Sequence, residues 1–364
     1  MIDAFSITNH ADWNLAFASS SLSTVQLNDI TVFCLRDVLK IRSSSKGLAY
    51  VFVDTTGAIP AHTGSHRICP NILDESASKR PLITEVFPLE VLREEYKNGS
   101  GTFVQQIDYL KSLGFTGIRR TRGDGDCFYR SLAFAWIERL IHSPKQTLDV
   151  AKAHSLLDST LLILKAAGFQ EMVFEDFYDV LISLVRQIVV PEPNGSTLTT
   201  EILLEAFQDA EGKWDDAYAP PLMQTGLIPF LIVIVSNCIV VFLRLLTSAV
   251  IRTDPDSYAP FLFHPETSIQ VPPQEFCERF VEACGKEADH VQITALTKIL
   301  KLNIEVAYLD GHGADGSVNF VQFHNVPPED FDNPPVLLYR PGHYDILERD
   351  RRSEKNDLDR AERF

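Results

Sequence analysis

Residues 289–308, DHVQITALTKILKLNIEVAY, change hydrophobic period halfway along. In the first half, Asp289 and Gln292 form a capping-box pattern and Ile293, Leu296 and Leu300 recur at helical spacing, which predicts a helix running to Leu300. In the second half Ile304, Val306 and Tyr308 alternate, which predicts a strand. After a loop opening at Asp310-Gly311, Phe320–Phe323 and Val336–Tyr339 read as further strands. Upstream the pattern is helical: Pro88–Tyr96 stopped by Asn98-Gly99, then about Thr102–Leu113 stopped by Gly114. A helix from Cys127 carries Leu132, Trp136 and Leu140, and amphipathic stretches follow at Leu148–Ala167, Phe174–Val189 and Thr200–Asp209. Helices first and a small set of strands last predict an α+β fold in one domain, residues 76–347.

The flanks read differently. Residues 1–75 are Ser-rich with one alternating run, Leu48–Val53, and are expected to form a poorly ordered extension. Residues 348–364 are a charge-dense tail. From Ala217 to Leu243 no residue is charged, which reaches the length of a membrane span. Pro229 and Ser236-Asn237 interrupt that stretch and argue against a span, and 212–235 stands as an unplaced apolar insertion or as translated non-coding sequence.

Composition excludes several classes. With 45% hydrophobic and 23% charged residues the chain is not disordered throughout, and a net charge of −16 disfavours non-specific binding to nucleic acid. The six cysteines (34, 69, 127, 238, 277, 284) make no CxxC pair and are too few for a disulfide scaffold, which predicts free thiols in a reducing, intracellular compartment. The opening MIDAFSITNHADW lacks the pattern of a secretory signal. His62, His66 and Cys69 have metal-like spacing without a fourth ligand, and Asp310–Gly316 lacks the ligand series of a calcium loop, so no metal is expected. Cys277 and Cys284, seven apart, are expected on one buried helix face.

Two stretches carry chemistry. In Gly123-Asp-Gly-Asp-Cys-Phe-Tyr-Arg130 a cysteine opens a helix behind a glycine-containing loop. Unpaired backbone N–H groups and the helix dipole favour a thiolate there, and the glycines allow N–H groups to approach a substrate carbonyl. In Tyr339-Arg-Pro-Gly-His-Tyr-Asp-Ile-Leu347, His343 and Asp345 share one face if the segment is a strand. The carboxylate then orients the imidazole as base toward a thiol, making Cys127, His343 and Asp345 a candidate triad.

Residues 118–130, IRRTRGDGDCFYR, and 338–347, LYRPGHYDIL, resemble the nucleophile and histidine segments of the otubains, the peptidase C65 branch of the ovarian-tumour (OTU) deubiquitinases. Residues 240–248, VVFLRLLTS, and Glu287-Ala-Asp-His290 resemble otubain stretches in the same order, and the similarity covers about 78–347. It implies a papain-like OTU cysteine-protease fold, a small mixed sheet packed between helices with a helical arm. The activity it implies is cleavage of the isopeptide bond after the C-terminal Gly-Gly of ubiquitin, with ubiquitin, polyubiquitin chains and ubiquitin-conjugating enzymes as partners, in cytoplasm and nucleus. No cofactor is implied. Cys127 matches the nucleophile, His343 the base, Asp345 the residue orienting it, and Asp124 the aspartate of the loop near the oxyanion hole. The alternative is a catalytically idle module that sequesters ubiquitin. Asp126 stands where the family usually has Asn; a carboxylate beside the thiol disfavours thiolate unless it points to solvent, which predicts a slower enzyme. Loss of Asp345 is expected to be milder than loss of Cys127 or His343.

Overall fold

The computed structural model describes residues 80–99, 101–193, 195–208, 235–312, 315–327 and 334–349. The expectations for the N-terminal extension, its Leu48–Val53 run, the His62/His66/Cys69 spacing, the 212–234 stretch and the tail beyond Arg349 lie outside these residues.

In chain order the elements are β1 (Ile83–Pro88), α1 (Leu89–Tyr96), α2 (Gly101–Ser112), β2 (Phe115–Thr121), α3 (Cys127–His142), α4 (Gln146–Ala166), α5 (Glu171–Gln187), α6 (Thr200–Gln208) and α7 (Val235–Thr253). Short turns lead to α8 (His290–Ile299), then β3 (Ile304–Tyr308), β4 (Asn319–Phe323), β5 (Val336–Arg340) and β6 (His343–Arg349). The capping box forms as the sequence predicts: the Asp289 side chain accepts from the helix start, and Gln292 accepts from the Asp289 N–H at 3.1 Å.

The strands make one mixed sheet in the order β1-β2-β6-β5-β3-β4. Only β3 and β5 run parallel; the other neighbours are antiparallel. The fold is α+β, but its strands do not all come last. β1 and β2 precede the helices, and β2 lies against β6. β2, FTGIRRT, reads as polar because it holds two arginines, yet Arg119 is buried, 3.3 Å from Glu138 and over the Phe134 ring at 4.5 Å. Pro88 closes β1 with extended ψ of 142° and precedes α1 rather than opening it. Glu348 and Arg349, assigned to the tail by composition, complete β6 opposite Gly117 and Phe115.

Helices cover both faces of the sheet. One core joins α3, α5, α6 and α7 to Ile304, Val306, Leu337 and Ile346 of the strands. The other packs α1 and α2, through Leu89, Leu92, Ile107 and Leu110, on Ile118, Leu338 and Leu347. The alternation of Leu337 with Leu338 and of Ile346 with Leu347 between the cores is the period-two pattern of a sheet buried on both sides. α7 is the one helix among the described residues long and apolar enough to cross a membrane. Here it is the central core helix, packed against α3, α4, α5 and α8, and each fully buried Leu or Ile contributes about 1.5–3 kcal/mol. Cys277 and Cys284 do not share a helix face. Cys277 opens a π-helical turn ending at Val281 and is buried, whereas Cys284 follows that turn and is exposed beside Gly285, whose φ is +73°.

Candidate active site

β2 ends at Thr121, and a five-residue loop leads to Cys127, the first residue of α3. Asp124 shapes that loop: its Oδ1 accepts from the Asp126 N–H at 3.0 Å and from Arg130 Nη1 at 2.9 Å. Arg130 in turn donates to Ser236 Oγ and Asn237 Oδ1 at the start of α7. Gly125 adopts φ +82°, and a Cβ there would sit 2.2 Å from the Gly285 carbonyl oxygen, so only glycine lets the two loops touch. Asp124 therefore braces the loop between β2 and α3. The first N–H groups of α3 have no acceptor within the helix and lie at its positive end, next to the buried Cys127 thiol.

β5 and β6 meet in a two-residue turn, Pro341-Gly342, with Arg340 paired to His343 and Gly342 at φ +76°. This turn sets His343 at the start of β6. Its Nε2 donates to Asp345 Oδ1 at 2.9 Å. Asp345 is fully buried and takes two more donors, the Thr121 N–H at 3.0 Å and Arg340 Nη2 at 2.5 Å. Burial alone would push the Asp345 carboxyl up, but Arg340, His343 and the Thr121 N–H outweigh it and hold the group well below the usual carboxylate range.

The other ring nitrogen, Nδ1, is buried without a hydrogen-bond partner of good geometry, and a Cβ on Gly123 would lie 3.5 Å from it. The Cys127 thiol is near enough to favour the protonated ring. Burial works against a charged imidazole, but Asp345 and Cys127 more than offset it, and the His343 pKa is pushed up to about 10. Glu287 lies beside Gly342; burial pushes its carboxyl up, partly offset by His343.

Cys127, His343 and Asp345 thus meet around one imidazole, and Asp124 lies in the loop beside it, its carboxylate accepting from the Asp126 N–H and from Arg130. Asp126 is neither on the thiol nor in solvent. Its Oδ1 accepts from Arg244 Nε at 2.9 Å, Arg244 Nη2 at 2.5 Å and the Gly285 N–H at 3.1 Å. The bare carboxylate on which the slower-enzyme expectation rested is therefore an ion pair. Sequence reasoning missed Arg340 and Arg244, although each is a lone charge in an apolar run, and a buried charge must be paired.

A helix-opening cysteine beside an imidazole that is oriented by a buried carboxylate defines the class of thiol hydrolases. A family profile described as Peptidase C65 Otubain matches residues 75–213 and 232–349. Human ubiquitin thioesterase OTUB1 is 33% identical over 276 residues, 76% of this chain and 86% of that protein. The OVARIAN TUMOR DOMAIN-containing deubiquitinating enzyme 1 of Arabidopsis thaliana is 31% identical over 287 residues, 76% of this chain and 84% of that protein. Among solved structures, the complex of h/ceOTUB1 with ubiquitin aldehyde and UBCH5B~Ub aligns with TM-score 0.59 and 27% identity, over 76% of this chain and 93% of that one. A second, with UBC13~Ub, aligns with TM-score 0.59 and 25% identity over the same shares. The chain belongs to the otubain family, peptidase C65, within the deubiquitinating enzymes of the ovarian-tumour type.

Proposed function

We propose that this chain hydrolyses the Gly–Lys isopeptide bonds of ubiquitin chains or conjugates, with Cys127 as nucleophile, His343 as acid and base, and Asp345 as the carboxylate that orients it. The observation that carries the reading is the buried His343 ring, held by Asp345 through Nε2 while its free Nδ1 lies on the side of Gly123 and the Cys127 segment. The Cys127 thiolate attacks the glycine carbonyl carbon, and N–H groups of the Asp124–Cys127 loop and helix start receive the oxyanion. His343 gives its proton to the lysine nitrogen as the C–N bond breaks, leaving a thioester. It then takes a proton from water, whose oxygen displaces the Cys127 sulfur and frees the ubiquitin carboxylate. Ubiquitin-conjugating enzymes are inferred as further partners, because the similar solved chains are complexed with ubiquitin-loaded UBC13 and UBCH5B. A reducing cytoplasm or nucleus suits the free thiol.

The test uses di-ubiquitins and a ubiquitin probe ending in an electrophile. The native chain should cleave at least one linkage and form an adduct at Cys127. Cys127→Ser should abolish both while retaining ubiquitin binding, and His343→Ala should lower turnover by a similar factor, since nucleophile and base act as one unit. Ubiquitin binding without cleavage or adduct in the native chain would instead establish an idle ubiquitin-binding module.

A further inference from the structure

Arg244 is the one charged residue in α7 between Val235 and Ile251, and it is 1% exposed. Besides its bonds to Asp126, its Nη2 donates to the Gly125 carbonyl at 3.0 Å and to the Lys286 carbonyl at 2.6 Å, and its Nη1 donates to the Val281 carbonyl at 3.0 Å. The guanidinium also lies over the Tyr129 ring, 4.4 Å from its centroid. These bonds converge from two sides. Gly125 and Asp126 belong to the nucleophile loop, whereas Val281 and Lys286 belong to the segment that touches Gly125 through Gly285 and reaches Gly342, next to His343, through Glu287.

We propose that Arg244 is a positioning residue of the nucleophile loop: it balances the charge of Asp126 beside Cys127 and fastens that loop to the segment flanking His343. The inference rests on Cys127 being the nucleophile. Its physical content is twofold. A planar guanidinium with five N–H donors can hold one carboxylate and three carbonyls at once, which an ammonium cannot. A buried pair presents little net charge to its neighbour, whereas either partner alone presents a full one. Asp126 in place of the family's Asn is therefore accommodated by a counter-charge already built into α7.

The groups that face Cys127 are His343 and Tyr344 from β6, with Asp345 behind the imidazole and Glu287 beside it, and the Asp124–Arg130 pair in its own loop and helix. These stay constant across a set of variants in the full chain: Asp126→Asn, Arg244→Gln, Arg244→Lys and the Asp126→Asn/Arg244→Gln double. Iodoacetamide alkylation is followed against pH, with adducts at Cys127 resolved by mass spectrometry, and kcat and KM are measured on di-ubiquitin.

Asp126→Asn should move the midpoint of the alkylation profile down and Arg244→Gln should move it up, each by roughly half to one pH unit, and the double should return close to the native profile. Arg244→Lys keeps the charge but not the fork, so its midpoint should stay while kcat falls at least tenfold with KM within twofold. A residue that only supports the fold would lower the fraction of active protein and leave both the profile and kcat per active site in place. The proposal is overturned if the two single neutralisations move the midpoint in the same direction or not at all, or if Arg244→Lys keeps its kcat. Should Arg244→Gln fail to fold, Asp126→Asn and Arg244→Lys decide by the same criteria. A native chain inert toward ubiquitin would sink the catalytic reading, and the alkylation profiles would still report on the charge pair.

Discussion

Asp345 holds three donors at once, and this changes what its loss should do. Read from sequence, it only orients an imidazole, so its removal looks mild. In the structure it is also the counter-ion of Arg340, which is itself nearly buried. Asp345→Ala should therefore destabilise the fold by about 3–5 kcal/mol through an uncompensated guanidinium, besides lowering turnover. Chemical denaturation of both proteins measures the first effect. The pair also dictates a pH dependence. Asp345, held below its unfolded value, adds stability above about pH 3.9, lost as pH falls further. His343, raised to about 10, adds stability that is full below about pH 6.5 and lost as pH climbs through its folded value. The difference in thermal midpoint between the native chain and Asp345→Asn should thus be greatest between about pH 4 and 6.5 and shrink on both sides. A difference that keeps growing toward pH 10 would contradict this assignment.

Among the elements, α7 is buried along nearly its whole length, and a smaller side chain in place of its fully buried Leu246 would leave a cavity. Leu246→Ala should cost about 2–5 kcal/mol, read from the urea midpoint at constant slope. The periodic helices were legible in the sequence because each shows one face to a core, as Phe174, Phe177, Leu181, Leu184 and Val185 do in α5. β1 was not, because only Ile83 of its six residues is buried and no alternation shows. β2 was hidden by Arg119, whose burial depends on Glu138 far along the chain. The same reason governs the site. Cys127, His343 and Asp345 declare themselves by local motifs, whereas Arg244 acquires its meaning only when α7 crosses the loop that holds Gly125 and Asp126. Asp124 was legible as a residue of the loop, but not as its brace.

Across the whole molecule, one apolar cluster runs from Ile83 in the first strand to Ile346 in the last, through α3, α5, α6 and α7. A continuous core predicts one cooperative unfolding transition for the described domain. Helical circular dichroism and the fluorescence of the chain's tryptophans, including the buried Trp136, should report the same urea midpoint, and Leu246→Ala and Ile346→Val should each move both signals together. Separate midpoints would show that the α1–α2 side unfolds on its own. Sheet order adds a consequence for how the protein is made. β6 lies between β2 and β5, although it is the last of these elements to leave the ribosome. Until then the nascent chain carries Cys127 without the His343 imidazole beside it, and β2 and β5 each offer an unpaired edge. On the proposed roles, translation acts as a safety catch: β6 brings the imidazole to the thiol, and a message cut short before it yields a client for chaperones rather than a partial hydrolase.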